Sequence, residues 1–201
     1  MSRLLVNIRG TNGAGKSTIP ISMMSDPQLK VIQKPYKGKT YKIATVFPSF
    51  GWIALGSYLN KTGGLDTFPN NELTFKTLKW VLKKYSDYHI LMEGIIASTI
   101  YSTYRDLFNE IQEEYSDTKI VLLFFIPPLE TSIQRVYERN GGKPVKEDAI
   151  KAKYGMVSRN FEKFKHDGFC VKKIDTSKTP KDQMLTNFLK LCNKYQEKQD
   201  G

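Results

Sequence analysis

Apolar residues along the chain fall into short continuous runs and into longer stretches with helical spacing. Short runs bounded by glycine, proline or polar residues are typical of strands buried in a parallel sheet. They occupy residues 4–8, 41–47, 52–58, 90–92, 120–126 and 171–174. The first run ends at Gly10, and the second and third predict a hairpin or two short strands.

Between these runs, apolar residues recur every three or four positions, as in helices with one buried face. The first helix is expected to begin near Lys16 and to end before Asp26-Pro27, and the second to be capped by Asn70 or Asn71. Further helices are predicted around residues 100–111, 129–137, 150–164 and 185–192. This alternation predicts an α/β fold, with a mostly parallel sheet flanked by helices on both faces.

Length and composition favour a single domain over residues 1–201. Of these residues 40% are hydrophobic, enough for one filled core, and no repeat or linker interrupts the pattern. The longest apolar run is too short to span a bilayer, and the N-terminus lacks a signal-peptide pattern. Cys170 and Cys192 have no metal-ligand spacing. We therefore expect a cytoplasmic protein with reduced cysteines and no membrane partner.

The charge is strongly positive, with 31 Lys and Arg against 20 Asp and Glu, a net charge of +11. Two segments concentrate it. Residues 30–42 contain five lysines and no acid, interleaved with Tyr36 and Tyr41, and residues 133–173 contain 11 basic and 5 acidic residues. Such a field attracts polyanions, so contact with nucleic acid is expected, although a solubilising surface is the alternative.

Residues 10–17 match the pattern G-x-x-x-x-G-K-[ST] at every fixed position, between an apolar run and a helical segment. The glycines allow backbone N–H groups to close around phosphate oxygens. Lys16 would bridge the β- and γ-phosphates, and the Ser17 hydroxyl would bind Mg²⁺. The predicted nucleotide-binding residues are Gly10, Thr11, Asn12, Gly13, Ala14, Gly15, Lys16, Ser17 and Thr18. The sequence thus predicts a P-loop NTPase that binds ATP with Mg²⁺.

The run at residues 90–92 ends in Glu93-Gly94, like a Walker-B strand that presents a carboxylate to the phosphates. Glu93 could hold Mg²⁺ through water or accept a proton from an attacking hydroxyl. The alternative is a glutamate that caps the next helix. A GTPase is not expected, because the tetrapeptide at residues 60–63 lacks the aspartate of N-K-x-D and no D-x-x-G follows a strand.

Arg135 and Arg139 lie four residues apart on one predicted helix that leads into a glycine turn. This pattern is similar to the lid of nucleotide and nucleoside kinases, in which guanidinium groups close over the transferring phosphoryl group. The lid is placed at about residues 135–150, with Arg159 as a weaker candidate, and an exposed basic helix face is the alternative. In similar kinases, the loop corresponding to residues 175–178 borders the adenine.

The segment between the P-loop and Glu93 is where a kinase holds its acceptor. It reads Gly56-Ser57-Tyr58-Leu59-Asn60-Lys61-Thr62-Gly63-Gly64-Leu65-Asp66-Thr67. With the P-loop and the lid R-x-x-x-R-N-G-G-K-P, its pattern G-x-Y…N…G-G-x-D-T resembles a family of phage thymidylate-kinase-like P-loop proteins. That family includes the 5-hydroxymethyluridine DNA kinases. The resemblance places an acceptor-binding insertion at about residues 34–70.

The resemblance implies transfer of a phosphoryl group from ATP to the hydroxymethyl group of a modified uracil already in DNA. Such a step would prime the base for hypermodification, in the cytoplasm of an infected bacterial host. Thymidylate kinases carry an Asp-Arg pair after the second strand, whereas here Glu93 is followed by Gly94. This departure argues against a free nucleotide as the acceptor.

The leading hypothesis is a DNA base kinase that depends on ATP and Mg²⁺. P-loop amides, Lys16 and the lid residues Arg135 and Arg139 would hold the transferred phosphoryl group. Either Asp66 or Glu93 would orient or deprotonate the acceptor hydroxyl, unless Asp66 is only a turn residue. Two other hypotheses remain: a nucleoside or nucleotide monophosphate kinase acting on a free small molecule, and a nucleic-acid-binding P-loop ATPase whose acceptor is water.

Overall fold

The computed structural model describes residues 3–59 and 63–197, and the seven strands within them form one sheet. They are β1 (Arg3–Gly10), β2 (Lys30–Tyr36), β3 (Lys39–Phe47), β4 (Trp52–Leu55), β5 (His89–Glu93), β6 (Thr118–Phe125) and β7 (Val171–Ile174). Their spatial order is β2-β3-β4-β5-β1-β6-β7. In this spatial order, the neighbouring strands β4, β5, β1, β6 and β7 all pair in parallel, whereas β3 pairs antiparallel with both β2 and β4.

Helices connect and cover the strands. They are α1 (Thr18–Ser22), α2 (Asn71–Lys84), α3 (Ile95–Thr99), α4 (Ser102–Glu114), α5 (Leu129–Arg139), α6 (Glu147–His166) and α7 (Met184–Glu197). The predicted cap of α2 is confirmed, because the Asn70 side chain accepts a hydrogen bond from the Leu73 N–H at 3.0 Å. Among the described helices, none has the length and apolar character needed to cross a membrane.

Two apolar clusters fill the space on the two faces of the sheet. On β1, which is buried along its whole length, successive side chains point to opposite faces. Leu5 belongs to the cluster that contains Phe108 of α4, whereas Leu4 belongs to the cluster with Ile19 of α1 and Phe188 of α7. The predicted α/β architecture, with a mostly parallel sheet flanked by helices on both faces, is therefore confirmed.

The carboxyl ends of the parallel strands meet at one edge of the sheet, and this edge carries the predicted chemistry. Strand β1 lies between β5 and β6, and Ile8 pairs with Glu93, the last residue of β5. Two residues after Ile8, the chain enters the P-loop at Gly10. The P-loop and the Glu93-Gly94 turn are thus neighbours because of strand order, although 83 positions separate their first residues in the sequence.

Several elements differ from the sequence prediction, and α3 is one that was not predicted. Strand β2 was not predicted, because lysines interrupt its β-branched residues and hide the alternation. The run at residues 52–58 contributes only β4, which ends at Leu55. The helix expected from Ile100 begins at Ser102, because Ile100 has extended backbone angles (φ −92°, ψ 129°) between α3 and α4.

Candidate active site

The P-loop joins β1 to α1 in one tight turn. Its glycines Gly13 and Gly15 have φ values of +77° and +86°, which other residues rarely adopt. A Cβ on Gly13 would overlap the carbonyl oxygen of Ser132, so the loop packs directly against α5. The N–H of Ala14 donates to the carbonyl oxygen of Thr11 at 3.3 Å and closes the turn. A concave turn of this kind presents N–H groups that suit phosphate.

Lys16 lies at the mouth of this turn and is buried. Its Nζ donates to the carbonyl oxygen of Thr11 at 3.0 Å. Burial lowers the pKa of Lys16, the nearby carboxylates of Glu93 and Asp66 oppose that shift, and the cations Arg139 and Lys153 add to it. Four charged groups from other parts of the chain therefore act on the Lys16 ammonium group at the carboxyl edge of the sheet.

Glu93 and Ser17 form the second part of the site. The Ser17 hydroxyl donates to Glu93 Oε1 at 3.1 Å, and Glu93 is buried. Burial raises the pKa of Glu93 from its usual 4.5 to about 7, although Lys16 opposes the shift. A hydroxyl and a carboxylate are the oxygen ligands that Mg²⁺ prefers, and one or two protein ligands are enough when phosphates complete the shell. The pair therefore fits the predicted metal position.

The acceptor segment folds back onto Glu93. Ser57 and Gly64 form a short antiparallel bridge. Gly64, with φ +63°, lies so close to Glu93 that a Cβ there would be 2.5 Å from its carbonyl oxygen and nearer still to Oε1. Tyr58 packs on Gly63, its hydroxyl donates to the Leu55 carbonyl oxygen at 3.5 Å, and it opposes the rise in the pKa of Glu93. The quoted residues 60–62 lie outside the described part of the chain.

Asp66, the other predicted carboxylate, lies next to Glu93 but is engaged with α3. Its Oδ1 and Oδ2 accept from the Ile95 N–H at 2.9 and 3.0 Å, and Oδ1 also accepts from the Ile96 N–H at 3.4 Å. The structure thus brings Asp66, Glu93, Ser17 and Lys16 to one place. It gives Asp66 a structural task there, since its carboxylate fastens the acceptor segment to the start of α3.

The other end of α3 is held by Arg9, which is fully buried. Its guanidinium donates to the carbonyl oxygens of Ala97 and, at 2.5 Å, Ile100, and lies 4.7 Å from the ring centre of Phe164. Burial lowers the pKa of Arg9 to about 9, so the group is still charged at neutral pH. Within the described residues no carboxylate pairs with Arg9. The α3 carbonyls and aromatic faces therefore stabilise its charge.

Ser98 joins α3 to both halves of the site. Its Oγ accepts from the Gly10 N–H at 3.0 Å and donates to the carbonyl oxygen of Gly94 at 2.5 Å. Asn160 of α6 donates to the Ser98 carbonyl oxygen at 3.1 Å. One side chain thus ties the first residue of the P-loop to the residue after Glu93.

The two lid arginines have different surroundings. Arg135 is half-buried and donates to Thr176 Oγ1 at 3.1 Å, to the Thr176 carbonyl oxygen at 3.0 Å and to the Gly13 carbonyl oxygen at 3.4 Å. Thr176 in turn donates to the Ala14 carbonyl oxygen at 2.9 Å. Arg139 is exposed at the last residue of α5. Arg135 therefore fastens the P-loop to the loop after β7, and Arg139 presents the freer charge.

A sequence profile identifies the protein family of this chain. The profile of the 5-hmdU DNA kinases matches residues 3–178, which include the P-loop, Glu93 and both lid arginines. The chain belongs to the 5-hmdU DNA kinase family. The family resemblance predicted from the sequence is therefore confirmed.

Relatives within the 5-hmdU DNA kinase family come from phages. The chain is 46% identical over 171 residues to the 5-hmdU DNA kinase of Bacillus phage SP10, covering 82% of this chain and 26% of that protein. It is 34% identical over 164 residues to 5-hmdU DNA kinase 1 of Salmonella phage ViI, covering 80% and 70%. The chain thus spans about a quarter of the length of the first relative.

The fold of this family member has a solved neighbour. The YorR protein of Bacillus subtilis, solved in complex with phosphorylated GDP, matches with a TM-score of 0.55 at 13% identity. The match covers 96% of this chain and 98% of that one. At this identity the likeness concerns the fold alone.

Several residues around the candidate site of the present chain were not predicted from the sequence. They are Arg9, Ser98, Lys153 and Asn160, whereas Tyr58 belongs to the acceptor segment already quoted. Two carry a recognisable signal, because Arg9 interrupts a buried strand and Lys153 shares the apolar stripe of α6 with Ile150 and Val157. Charged residues in such positions are rare unless they are paired or functional. Ser98 and Asn160 carry no such signal.

Proposed function

We propose that the protein transfers the γ-phosphoryl group of ATP to the hydroxymethyl oxygen of 5-hydroxymethyluracil in DNA. The convergence of Lys16, Ser17 and Glu93 within a member of the 5-hmdU DNA kinase family carries this proposal. The acceptor oxygen forms a bond to the γ-phosphorus, and the bond from that phosphorus to the bridging oxygen breaks. ADP leaves, and the hydroxyl proton passes to a carboxylate.

The nucleotide is bound by residues 10–18 in this proposal. Backbone N–H groups of the P-loop hold the phosphates, and Lys16 contacts their β- and γ-oxygens. Ser17 would hold Mg²⁺ directly and Glu93 would hold it through water, and the ion when bound would neutralise charge on the β- and γ-phosphates. Arg135 keeps the P-loop and the loop at residues 175–178 together, and that loop would border the adenine.

In this proposal, Lys16 and the cations around it stabilise the negative charge of the transferring phosphoryl group. Arg139 is the last residue of α5, which packs against the P-loop at Gly13, and its charge and that of Lys153 both act on Lys16, the residue that contacts the phosphates in this proposal. We assign this stabilisation to Lys16 and Arg139, with residues 135–150 as a lid that brings Arg139 towards the phosphates. Arg135 acts indirectly, by positioning the P-loop.

We assign proton acceptance to Glu93 rather than to Asp66. A base is most effective when its pKa lies near the working pH, and burial brings the pKa of Glu93 to about 7. Both oxygens of Asp66 accept N–H groups of α3, which leaves that carboxylate less free to take a proton. Asp66 would orient the acceptor segment that contains Gly64.

The wider assignments are part of the same proposal. The +11 charge suits a DNA substrate, and the modified uracil is the acceptor that the names of the relatives carry. Residues 1–201 would act as one kinase domain with an acceptor-binding insertion at about residues 34–70. Because the relatives are phage proteins, we place the activity in the cytoplasm of an infected bacterium.

The test is label transfer from γ-labelled ATP to four acceptors in parallel. They are DNA with 5-hydroxymethyluracil, the same DNA with thymine, the free modified nucleotide and water. The proposal requires label in the modified DNA alone, lost in Glu93→Gln and kept in Glu113→Gln, an exposed glutamate of α4. Equal transfer to the free nucleotide would favour a small-molecule kinase, and phosphate release without transfer would favour an ATPase.

A further inference from the structure

The hairpin formed by β2 and β3 extends beyond the sheet at the active-site edge. Ala44 of β3 pairs with Leu55, the last residue of β4, and β4 runs parallel to β5. The Gly56 N–H still donates to the Ile43 carbonyl oxygen at 2.8 Å, so residues 39–42 of β3 continue past the carboxyl edge that carries Glu93, with residues 33–36 of β2 beside them. Four residues at about 3.3 Å each give an overhang of about 13 Å. We call residues 33–42, the part of the hairpin beyond this edge, the basic arm.

The basic arm is fastened to α2 by Glu72. The Glu72 carboxylate accepts from Lys76 Nζ at 2.8 Å, the Tyr36 hydroxyl at 2.6 Å and Lys37 Nζ at 3.1 Å. These bonds, with Lys76 first, lower the pKa of Glu72 to about 2. On the same helix, Trp80 lies beneath Lys34 Nζ, which is 3.5 Å from the ring centre. The arm therefore has a defined position instead of projecting freely.

That position is close to the acceptor carboxylates. The Tyr36 hydroxyl is 3.4 Å from Asn70 Oδ1, and Asn70 is only four residues after Asp66. Four residues span at most about 14 Å. A turn of duplex DNA is about 34 Å long, so one DNA molecule can contact the arm while a base lies at Asp66 and Glu93.

Two lysines of the arm remain for a ligand. Lys39 and Lys42 are exposed and make no ion pair within the described residues, whereas Lys37 is neutralised by Glu72. No acidic residue lies within residues 33–42 to compete for them. Unpaired lysines along an exposed hairpin match the regular negative charge of a sugar–phosphate backbone.

We propose that the basic arm binds DNA backbone phosphates and guides the strand to the acceptor site. The partner is DNA of any sequence, because the arm offers lysines and no groups arranged to read base edges. This inference rests on the proposed function for its biological meaning. Its physical content, a phosphate-binding surface at one end of the sheet, is independent of the acceptor chemistry.

The first experiment measures binding of a labelled, unmodified oligonucleotide by anisotropy at several salt concentrations, without ATP. The test variant replaces Lys39 and Lys42 with Gln. The control variant replaces Lys172 and Lys190 with Gln, two exposed lysines near the opposite edge of the sheet. The two variants carry the same change in net charge.

Each lost phosphate contact lowers the slope of log K against log salt by about 0.9, so the arm variant should lose up to about 1.8. Its Kd should rise by more than about tenfold at 0.1 M salt, while the control changes by less than about threefold. Equal weakening in both variants, or unchanged binding in the arm variant, would overturn the proposal.

A second variant, Glu72→Gln, separates arm position from charge. It raises the net charge by one, so a purely electrostatic surface would bind DNA more tightly. If the fastened arm guides the strand, KM for modified DNA rises instead, and KM for ATP is unchanged. A lower KM for DNA contradicts the proposal. Should phosphoryl transfer fail while the arm variant still loses DNA binding, the proposed function fails and the arm assignment stands.

Discussion

Gly64→Ala tests how the acceptor segment controls Glu93. Gly64 has φ +63° and ψ −145°, a region open almost only to glycine. An added Cβ would lie 2.5 Å from the Glu93 carbonyl oxygen, which cannot retreat because Glu93 is paired with Ile8 in the sheet. The side-chain Oε1 is nearer still and is the part that must move.

The expected losses follow from these two effects. Backbone strain costs about 1–3 kcal/mol and overpacking costs about 1–3 kcal/mol, so Gly64→Ala should lower the free energy of unfolding by about 2–6 kcal/mol. Gly51→Ala is a matched control, because Gly51 also has a positive φ (+70°) but no atom within 4 Å of the added Cβ. It should lose only about 1–2 kcal/mol.

A loss of catalysis should accompany the loss of stability. Displacing Glu93 by about 1 Å from Ser17 can cost about 100-fold in kcat, and Gly51→Ala should keep normal turnover. The assays are urea unfolding and label transfer at a temperature where both variants are folded. If Gly64→Ala matches Gly51→Ala in both stability and kcat, the packing of the acceptor segment on Glu93 does not control the reaction.

Three further predictions concern the charged groups of the site. Lys16→Ala should abolish phosphoryl transfer while weak ATP binding to the P-loop amides survives, and near-normal turnover would exclude the assigned role. Because burial raises the pKa of Glu93 to about 7, the stability of the unliganded protein should fall as pH rises from about 4.5 to 7. If Glu93 is the base, kcat should rise with pH, and Glu93→Gln should remove the dependence of stability on pH, which urea unfolding at several pH values measures. Arg139→Ala should lower kcat with little change in KM for ATP. Arg135→Ala should lower kcat, raise KM for ATP and lower the melting temperature, because Arg135 holds the P-loop and the loop after β7 together. Steady-state kinetics and thermal unfolding distinguish the two outcomes.

The sequence predicted those parts of the molecule whose signal is local. The P-loop follows from a fixed spacing of glycines and a lysine, and the central strands follow from apolar runs that are buried on both faces. Strand β2 was not predicted, because its lysines lie along the surface and Lys34 covers Trp80. Polar residues therefore occupy positions where an alternating strand pattern would have apolar residues. Long side chains with apolar stems regularly hide a strand in this way.

The arrangement around α3 could not be predicted, because its contacts are distant in sequence. Arg9 reaches Ala97 across 88 positions, and Gly10 reaches Ser98 across the same separation. A spacing rule carries no information about such pairs. Strand order alone brings them together, since β1 is inserted between β5 and β6. Likewise, the glycines of the acceptor segment were recognised only as a sequence pattern. The close packing of Gly64 on Glu93 gives the physical reason why a glycine is needed there.

The most direct test of the proposed reaction locates the transferred phosphate within the DNA. Modified DNA labelled from γ-labelled ATP is digested to nucleotides by nuclease without phosphatase, and the labelled product is identified by chromatography and mass spectrometry. The proposed function predicts that the label sits on the hydroxymethyl group of the uracil base and that its amount follows the number of modified bases. Label at the 5′ ends of the strands, in proportion to the number of ends, would contradict the assignment of the base as acceptor.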